Sequence, residues 1–422
     1  MELFSSFHTL SIVTVVAATL SIGIPAGDLD PPAPPAPTPG PEARTPIRAD
    51  DLPLTISTRG GSYYFVETID FPATEEAAIF VSERFVTIDL NGFSLIGPGG
   101  ITGGAGSIGI QGGAAAREVT TRNGTIASFG ADGVRLAARG GVAEDLHVFD
   151  YGEIGINFVG ENGRVANCTV QSCDDRGISV ASGSLVQDSV ARGNGIGIRV
   201  ADTAVVKSCV AASNIQEGIY VESGGNVIDS DASNNGSDGI FMFTGGSIIN
   251  CYARGNGSTG IRLSGSDALI DGCVAQGNTS SGIRANIGST VRGCVANDNG
   301  GNGIEGVDGV LIQDCIANNN DADGIEITRN CTVLDSMARF NGSGTSAGIH
   351  ATQINNRIEG NTVIGNDIGI QTPNAIGNLV VRNVASGAGQ DDFGSVADSN
   401  ALGPVSTGFD SSDPGPWGNF NR

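Results

Sequence analysis

Ile248-Ile249-Asn250-Cys251-Tyr252-Ala253-Arg254-Gly255-Asn256, followed by Gly260-Ile261, and Val291-Arg292-Gly293-Cys294-Val295-Ala296-Asn297-Asp298-Asn299, followed by Gly303-Ile304, are two copies of one phrase. A β-branched residue leads. Cys or Ser stands three further on, Ala two beyond that, then Asn, then Gly-Ile. Marking each Gly that precedes Ile or Val gives Gly133, Gly155, Gly177, Gly197, Gly218, Gly239, Gly260, Gly282, Gly303, Gly324, Gly348 and Gly369, at intervals averaging about 21.5 residues. A period of this size marks a solenoid, whose strand or helix content decides its kind.

Three further columns keep the same phase. Val165, Val186, Val206, Val227, Ile248, Ile270, Val291, Ile312 and Val333 are β-branched throughout. Three residues later come Cys168, Ser189, Cys209, Ser230, Cys251, Cys273, Cys294, Cys315 and Ser336, and two beyond those stand Val170, then Ala191 through Ala338. Residues two apart on a strand share a side, so the Cys/Ser and Ala columns face one way together. Asn194, Asn214, Asn235, Asn256, Asn278, Asn299, Asn320 and Asn341 follow, with Asn366 as the next member after an insertion. Stacked asparagines predict a ladder of amide hydrogen bonds at a sharp corner, where Asn also tolerates a left-handed backbone. No 3.6-residue period is present, which excludes helices. The expected fold is all-β: a parallel β-helix of about 21–22 residues per turn.

Working outward, residues 111–394 read as regular turns and residues 52–110 as an N-terminal cap with the first turns. Ser62-Tyr63-Tyr64-Phe65-Val66 and Val86-Thr87-Ile88-Asp89-Leu90 are strands, with Asn91-Gly92 a turn. Residues 406–422, carrying Trp417 and Phe420, are expected to fold over the last turn, since an uncovered strand edge invites aggregation. Before the coil, residues 27–51 read as a Pro-rich spacer and residues 1–26 as a secretory signal, apolar from Thr9 to Ile24, although a positive leading region is missing. Left uncleaved, that segment is the one expected membrane contact. The location expected is secreted, periplasmic or cell-envelope.

Composition narrows the partners. Aromatics are 5% of the chain against 39% hydrophobic residues, so the core is aliphatic. The net charge of −23, with Lys207 the single lysine, argues against nucleic acid and anionic membranes as partners.

These columns, the Ser-Tyr-Tyr entry strand and Thr87-Ile88-Asp89-Leu90-Asn91-Gly92-Phe93 resemble the right-handed parallel β-helix proteins of the pectate-lyase-like superfamily, nearest the NosD-like and carbohydrate-binding or sugar-hydrolase repeat type. The resemblance covers Leu52 to about Gly394. It implies the fold and leaves function open, because the superfamily includes lyases, hydrolases, epimerases, adhesins and phage tail proteins.

Candidate chemistry is sparse. The stacked cysteines read as small buried residues, with a local Cys168–Cys173 disulfide as the alternative. Copper, which the NosD-like relatives suggest, lacks ligands: outside the leader the histidines are His147 and His350, far apart. No metal or other cofactor is expected, except calcium if the chain is a lyase. Cys173-Asp174-Asp175-Arg176-Gly177 resembles the paired-Asp element of polygalacturonase-like hydrolases, without the His-Gly and Arg-x-Lys partners; Asp174 and Asp175 are catalytic candidates on that resemblance. The most informative column follows Gly-Ile directly and is expected to point outward: Arg199, Tyr220, Phe241, Arg262, Arg284, Glu305, Glu326 and His350. The first five are candidate carbohydrate contacts. Glu305 and Glu326, one turn apart, are candidate catalytic carboxylates at about the 5 Å spacing of retaining glycosidases. Regular intervals leave little chain to wall a cleft. The expectation is a scaffold touching an extracellular or envelope polysaccharide. A polysaccharide lyase or glycoside hydrolase, or an adhesin rod, are the alternatives.

Overall fold

The computed structural model describes residues 44–421 except 73–76, 100–105, 343, 374–375, 395–398 and 408–414. The apolar leader and most of the spacer lie outside the described residues. From Arg44 onward the chain forms one unit. It coils through about sixteen turns with parallel pairing throughout, and each regular turn contributes three short strands to three lateral faces.

One face, here the Ile face, is a sheet of sixteen strands carrying the Gly-Ile segments, such as Ile196–Val200, Ile219–Ser223, Ile240–Thr244 and Ile261–Leu263. A second face carries the Val column in strands such as Leu185–Gln187, and the third carries the Ala column in strands such as Val190–Arg192. Pairing joins identical columns: Val186 with Val206, Ala191 with Ala211, Ile198 with Ile219. Near the start, the second and third faces run together in the long strands Thr120–Ala127 and Val142–Tyr151.

The corners are where the sequence reading needs correction. The ladder asparagines are not the left-handed residues. The residue before each one is: Gly193, Ser213, Asn234, Gly255, Gly277, Asp298 and Asn319 have φ between 52° and 64°. A second left-handed residue precedes the Cys/Ser column (Asp188, Ser208, Asp229, Asn250), and a third precedes the Val-face strand (Gly183, Thr203, Gly224, Asp267). Three such bends per turn close the triangle. Most of these positions take Gly, Asn, Asp or Ser, the residues for which a positive φ costs least, with Thr203 and Phe340 (φ 57° and 54°) among the exceptions.

The Asn after its bend points inward and is at most 2% exposed from Asn194 to Asn341. Each Nδ2 donates to Oδ1 of the next Asn, as in Asn214–Asn235 at 2.9 Å and Asn320–Asn341 at 2.8 Å, and the same Oδ1 accepts the preceding Asn's backbone N–H. The ladder includes Asn366, across the longer turn. Gly before Ile is required by this packing: a Cβ at Gly239 would lie 2.5 Å from Asn256 Nδ2 and 2.6 Å from the Gly260 carbonyl oxygen.

The Cys/Ser column does more than fill a crowded interior. Ser189 Oγ accepts the Cys168 N–H at 3.2 Å, Cys273 Sγ the Cys251 N–H at 3.4 Å, and Ser336 Oγ the Cys315 N–H at 3.1 Å. The position selects a small hydrogen-bond acceptor. In the last turns Asn361, Asn383 and Asn419 take it over and build a second ladder. All eight cysteines are free and buried. Cys168 and Cys173, the alternative disulfide pair, sit at different corners, with Cys173 in the Asn-ladder position, where its N–H donates to Asn194 Oδ1.

The start of the coil lies earlier than the sequence reading placed it. Strand Thr45–Ile47 pairs with Ser62–Phe65, so the coil begins inside the stretch read as spacer. Pro46 disguised it: proline is excluded from central strands but tolerated at an edge. Within the stretch read as cap and first turns, Leu54–Ile56 pairs with Ala77–Val81 as strands of successive turns of the coil. At the other end the tail supplies a strand, Asn419–Asn421, beside Val384–Ser386 and Val405–Thr407.

Candidate functional site

On the Ile face Ile198, Ile219, Ile240, Ile261, Ile283, Ile304, Ile325 and Ile349 are fully buried, so the residue after each one faces out. The register is continuous: Arg199, Tyr220, Phe241, Arg262, Arg284, Glu305, Glu326 and His350 are successive pairing partners. At about 4.8 Å between strands the stripe is about 34 Å long.

Its first part is aromatic. The Tyr220 and Phe241 rings stack with centroids 5.0 Å apart at 23°, and the Arg262 guanidinium covers the far side of that pair, 5.5 Å from the Phe241 centroid. Because the rings stack along the coil axis, they turn edges outward. Phe243, two residues after Phe241 on the same side of its strand, is 51% exposed.

The charges are all tied down. Arg199 pairs with Glu222. Arg262 Nη1 is 3.4 Å from Asp238 Oδ2, and the other oxygen of this buried carboxylate accepts the Thr259 N–H at 2.9 Å. Arg284 Nε lies 3.4 Å from Glu305 Oε2. Glu305 Oε1 also accepts hydrogen bonds from the Ser281 hydroxyl and, at 3.2 Å, from Asn302 Nδ2, which reaches Glu326 Oε2 at 2.7 Å. One amide therefore bridges the two candidate carboxylates.

At the far end His350 Nδ1 lies 2.8 Å from Asp323 Oδ2, and Asp323 Oδ1 accepts the Ala347 N–H. Burial raises the Glu326 pKa above the usual carboxylate range, with Asp323 and Glu305 adding to the rise, while the Asn302 hydrogen bond and His350 oppose it. For His350, burial disfavours the imidazolium, but the Asp323 hydrogen bond and the charges of Asp323 and Glu326 outweigh it, and its pKa is raised.

Asp174 and Asp175 stand elsewhere, exposed at a corner, with Asp175 Oδ2 3.7 Å from Arg176 Nε. Six turns, about 29 Å, separate that corner from Glu305. The two carboxylate sets are not brought together. Other hollows lie on other faces, one of about 510 Å³ lined by Asp229, Asp231 and Tyr252 and one of about 530 Å³ where Glu359 pairs with Arg357 and Arg382. Among the described residues no three His, Cys, Asp or Glu side chains are grouped to hold a metal ion.

Sequence reading missed Glu222, Asp238, Ser281, Asn302, Asp323 and Phe243. Four of them precede the Gly of Gly-Ile, and that run of short polar residues was a usable signal. Phe243 was visible as the second outward position of its strand.

Comparison with known proteins gives the fold a class. The model of the right handed beta helix region matches residues 194–334, and the chain is a right-handed parallel β-helix. Among solved structures it is similar to the A-module of the mannuronan C-5 epimerase AlgE4 of Azotobacter vinelandii (17% identity, 81% of this chain, 91% of that one, TM-score 0.39). It is also similar to the periplasmic alginate epimerase AlgG (12%, 89% and 80%, TM-score 0.34) and to PfbA, a surface adhesin of Streptococcus pneumoniae (13%, 81% and 85%, TM-score 0.31). No curated protein matches. No helix among the described residues is long and apolar enough to cross a membrane.

Proposed function

We propose that this protein is an exported β-helix scaffold that holds carbohydrate along its Ile face without turning it over. The observation that carries this reading is the Tyr220–Phe241–Arg262 stack with half-exposed Phe243 beside it. Ring edges and an exposed ring offer apolar contact to sugar C–H groups, and the neighbouring ion pairs offer donors and acceptors to hydroxyls. The proposal rests on these side chains and not on the structural likenesses. Export rests on the apolar segment from Thr9 to Ile24, and N-terminal sequencing of protein recovered outside the cytoplasm tests it.

The test of binding is affinity electrophoresis of the full chain through gels containing single soluble polysaccharides. Retardation by at least one polymer, lost in a Tyr220→Ala/Phe241→Ala/Phe243→Ala variant, supports the reading. Absence of retardation by any polymer removes it.

A second reading has one observation in its favour. Glu326 is biased toward its protonated form beside Glu305, whose carboxylate Arg284 pairs, which is the asymmetry an acid and a nucleophile need. Against it, both carboxylates rise from one open surface and are held by a single amide, whereas glycosidase carboxylates flank the scissile bond. Release of reducing ends, abolished by Glu326→Gln, would replace the scaffold with a hydrolase.

A further inference from the structure

The strands of the Ile face carry six arginines: Arg135, Arg176, Arg199, Arg262, Arg284 and Arg329. Each one has a carboxylate partner in the same wall, respectively Asp132, Asp175, Glu222, Asp238, Glu305 and Asp308. The pairing is built into the coil. In four of the six pairs, at Arg199, Arg262, Arg284 and Arg329, the partner lies 21 to 24 residues away in sequence and one turn away in space. His350, the remaining basic group of the stripe, is likewise matched by Asp323.

A polyanion approaching this face therefore meets no uncompensated positive charge. A uronate can reach the free N–H groups of Arg199 or Arg262 only beside Glu222, or beside Asp238, which is buried and also holds the Thr259 N–H, so each guanidinium's charge is already compensated. The incoming carboxylate would then lie next to the paired one, and a chain of net charge −23 adds long-range repulsion.

A neutral sugar asks for none of this. Its hydroxyls both donate and accept, so one hydroxyl can take a hydrogen bond from a guanidinium and give one to the paired carboxylate while the ion pair stays intact. The outward positions recur once per turn, at about 4.8 Å, so an extended polymer parallel to the axis meets an outward side chain at every turn.

We infer that the ligand of the Arg199–His350 stripe is a neutral polysaccharide lying along the coil axis, with the arginine–carboxylate pairs selecting against acidic polymers. This rests on the glycan-contact reading above.

The experiment compares the full chain on soluble β-glucan, galactomannan and dextran with polygalacturonate and alginate. Salt is set at roughly 0.01 M and 0.15 M, with and without calcium. The expected result is about tenfold tighter binding to at least one neutral polymer than to either acidic one, with little change between the two salt levels. Tighter binding of an acidic polymer, with or without calcium, overturns the inference and leaves the glycan-contact reading standing. Binding of no polymer overturns both. A Glu222→Gln/Glu305→Gln variant unmasks Arg199 and Arg284. It should gain about tenfold in affinity for polygalacturonate, and that gain should vanish at the higher salt. If the variant folds, as its circular dichroism would report, and gains nothing, the pairs are not what excludes the acidic polymer.

Discussion

The inside and the outside of the same strands obey opposite rules. Inward, Ile219, Ile240 and Ile261 or Asn235, Asn256 and Asn278 repeat one residue type turn after turn, because each side chain packs on or hydrogen-bonds to its own equivalent. Outward, Tyr220, Phe241, Arg262, Arg284, Glu305, Glu326 and His350 run through four residue types beyond the first. Stacking forces uniformity only where the environment is itself repeated. The outer stripe varies because water on one side frees it, and its partners are drawn from neighbouring turns.

That contrast is broken most severely by striking a ladder. Asn256 accepts from the Asn235 N–H and Nδ2 and donates to Asn278 and to the Ala232 carbonyl. Asn256→Ala leaves several of these groups buried without partners, at a cost of about 2–4 kcal/mol, read as a fall in thermal midpoint. The outer counterpart should be structurally mild: Tyr220→Ala/Phe241→Ala/Phe243→Ala should reduce polysaccharide retardation about tenfold or more, with under about 1 kcal/mol change in stability.

The acceptor requirement of the Cys/Ser column sharpens the inner rule. Cys273→Ala strands the Cys251 N–H and should cost about 1 kcal/mol, whereas Cys273→Ser keeps an acceptor and should cost less. Burial pushes the Cys168 thiol up to about 12 and the Cys209 thiol to about 11, so these two thiols should resist a thiol reagent at pH 8 and react only after unfolding.

The smallest effect is on pH dependence. His350 and Glu326 both have raised pKa values in the folded chain, so each binds its proton more tightly there than when unfolded. The stability Glu326 contributes is present below its unfolded value near 4.5 and is lost as pH rises through its folded one. That of His350 is complete below 6.5 and lost above it. Thermal midpoints of His350→Gln should therefore lack the decline the parent shows as pH rises above 6.5.

Uniformity also explains what the sequence made legible. The Ile, Val, Ala and Asn columns announce themselves by repetition, and the order of the outer column followed from them by strand alternation. The left-handed corner was displaced by one residue in the reading, because Asn both favours that backbone and forms ladders, and only the coordinates separate the two uses. The start at Thr45 was hidden by Pro46. Least legible were the ion pairs. Glu222 lies 23 residues from Arg199, and its partnership depends on which side chains of adjacent turns lean toward each other.

The most direct test of the outer stripe as a ligand face, independent of the coil that carries it, is polysaccharide retardation and thermal midpoint measured together on the Tyr220→Ala/Phe241→Ala/Phe243→Ala variant. The account predicts retardation lost and the midpoint nearly unchanged. Retardation equal to that of the parent protein would contradict it.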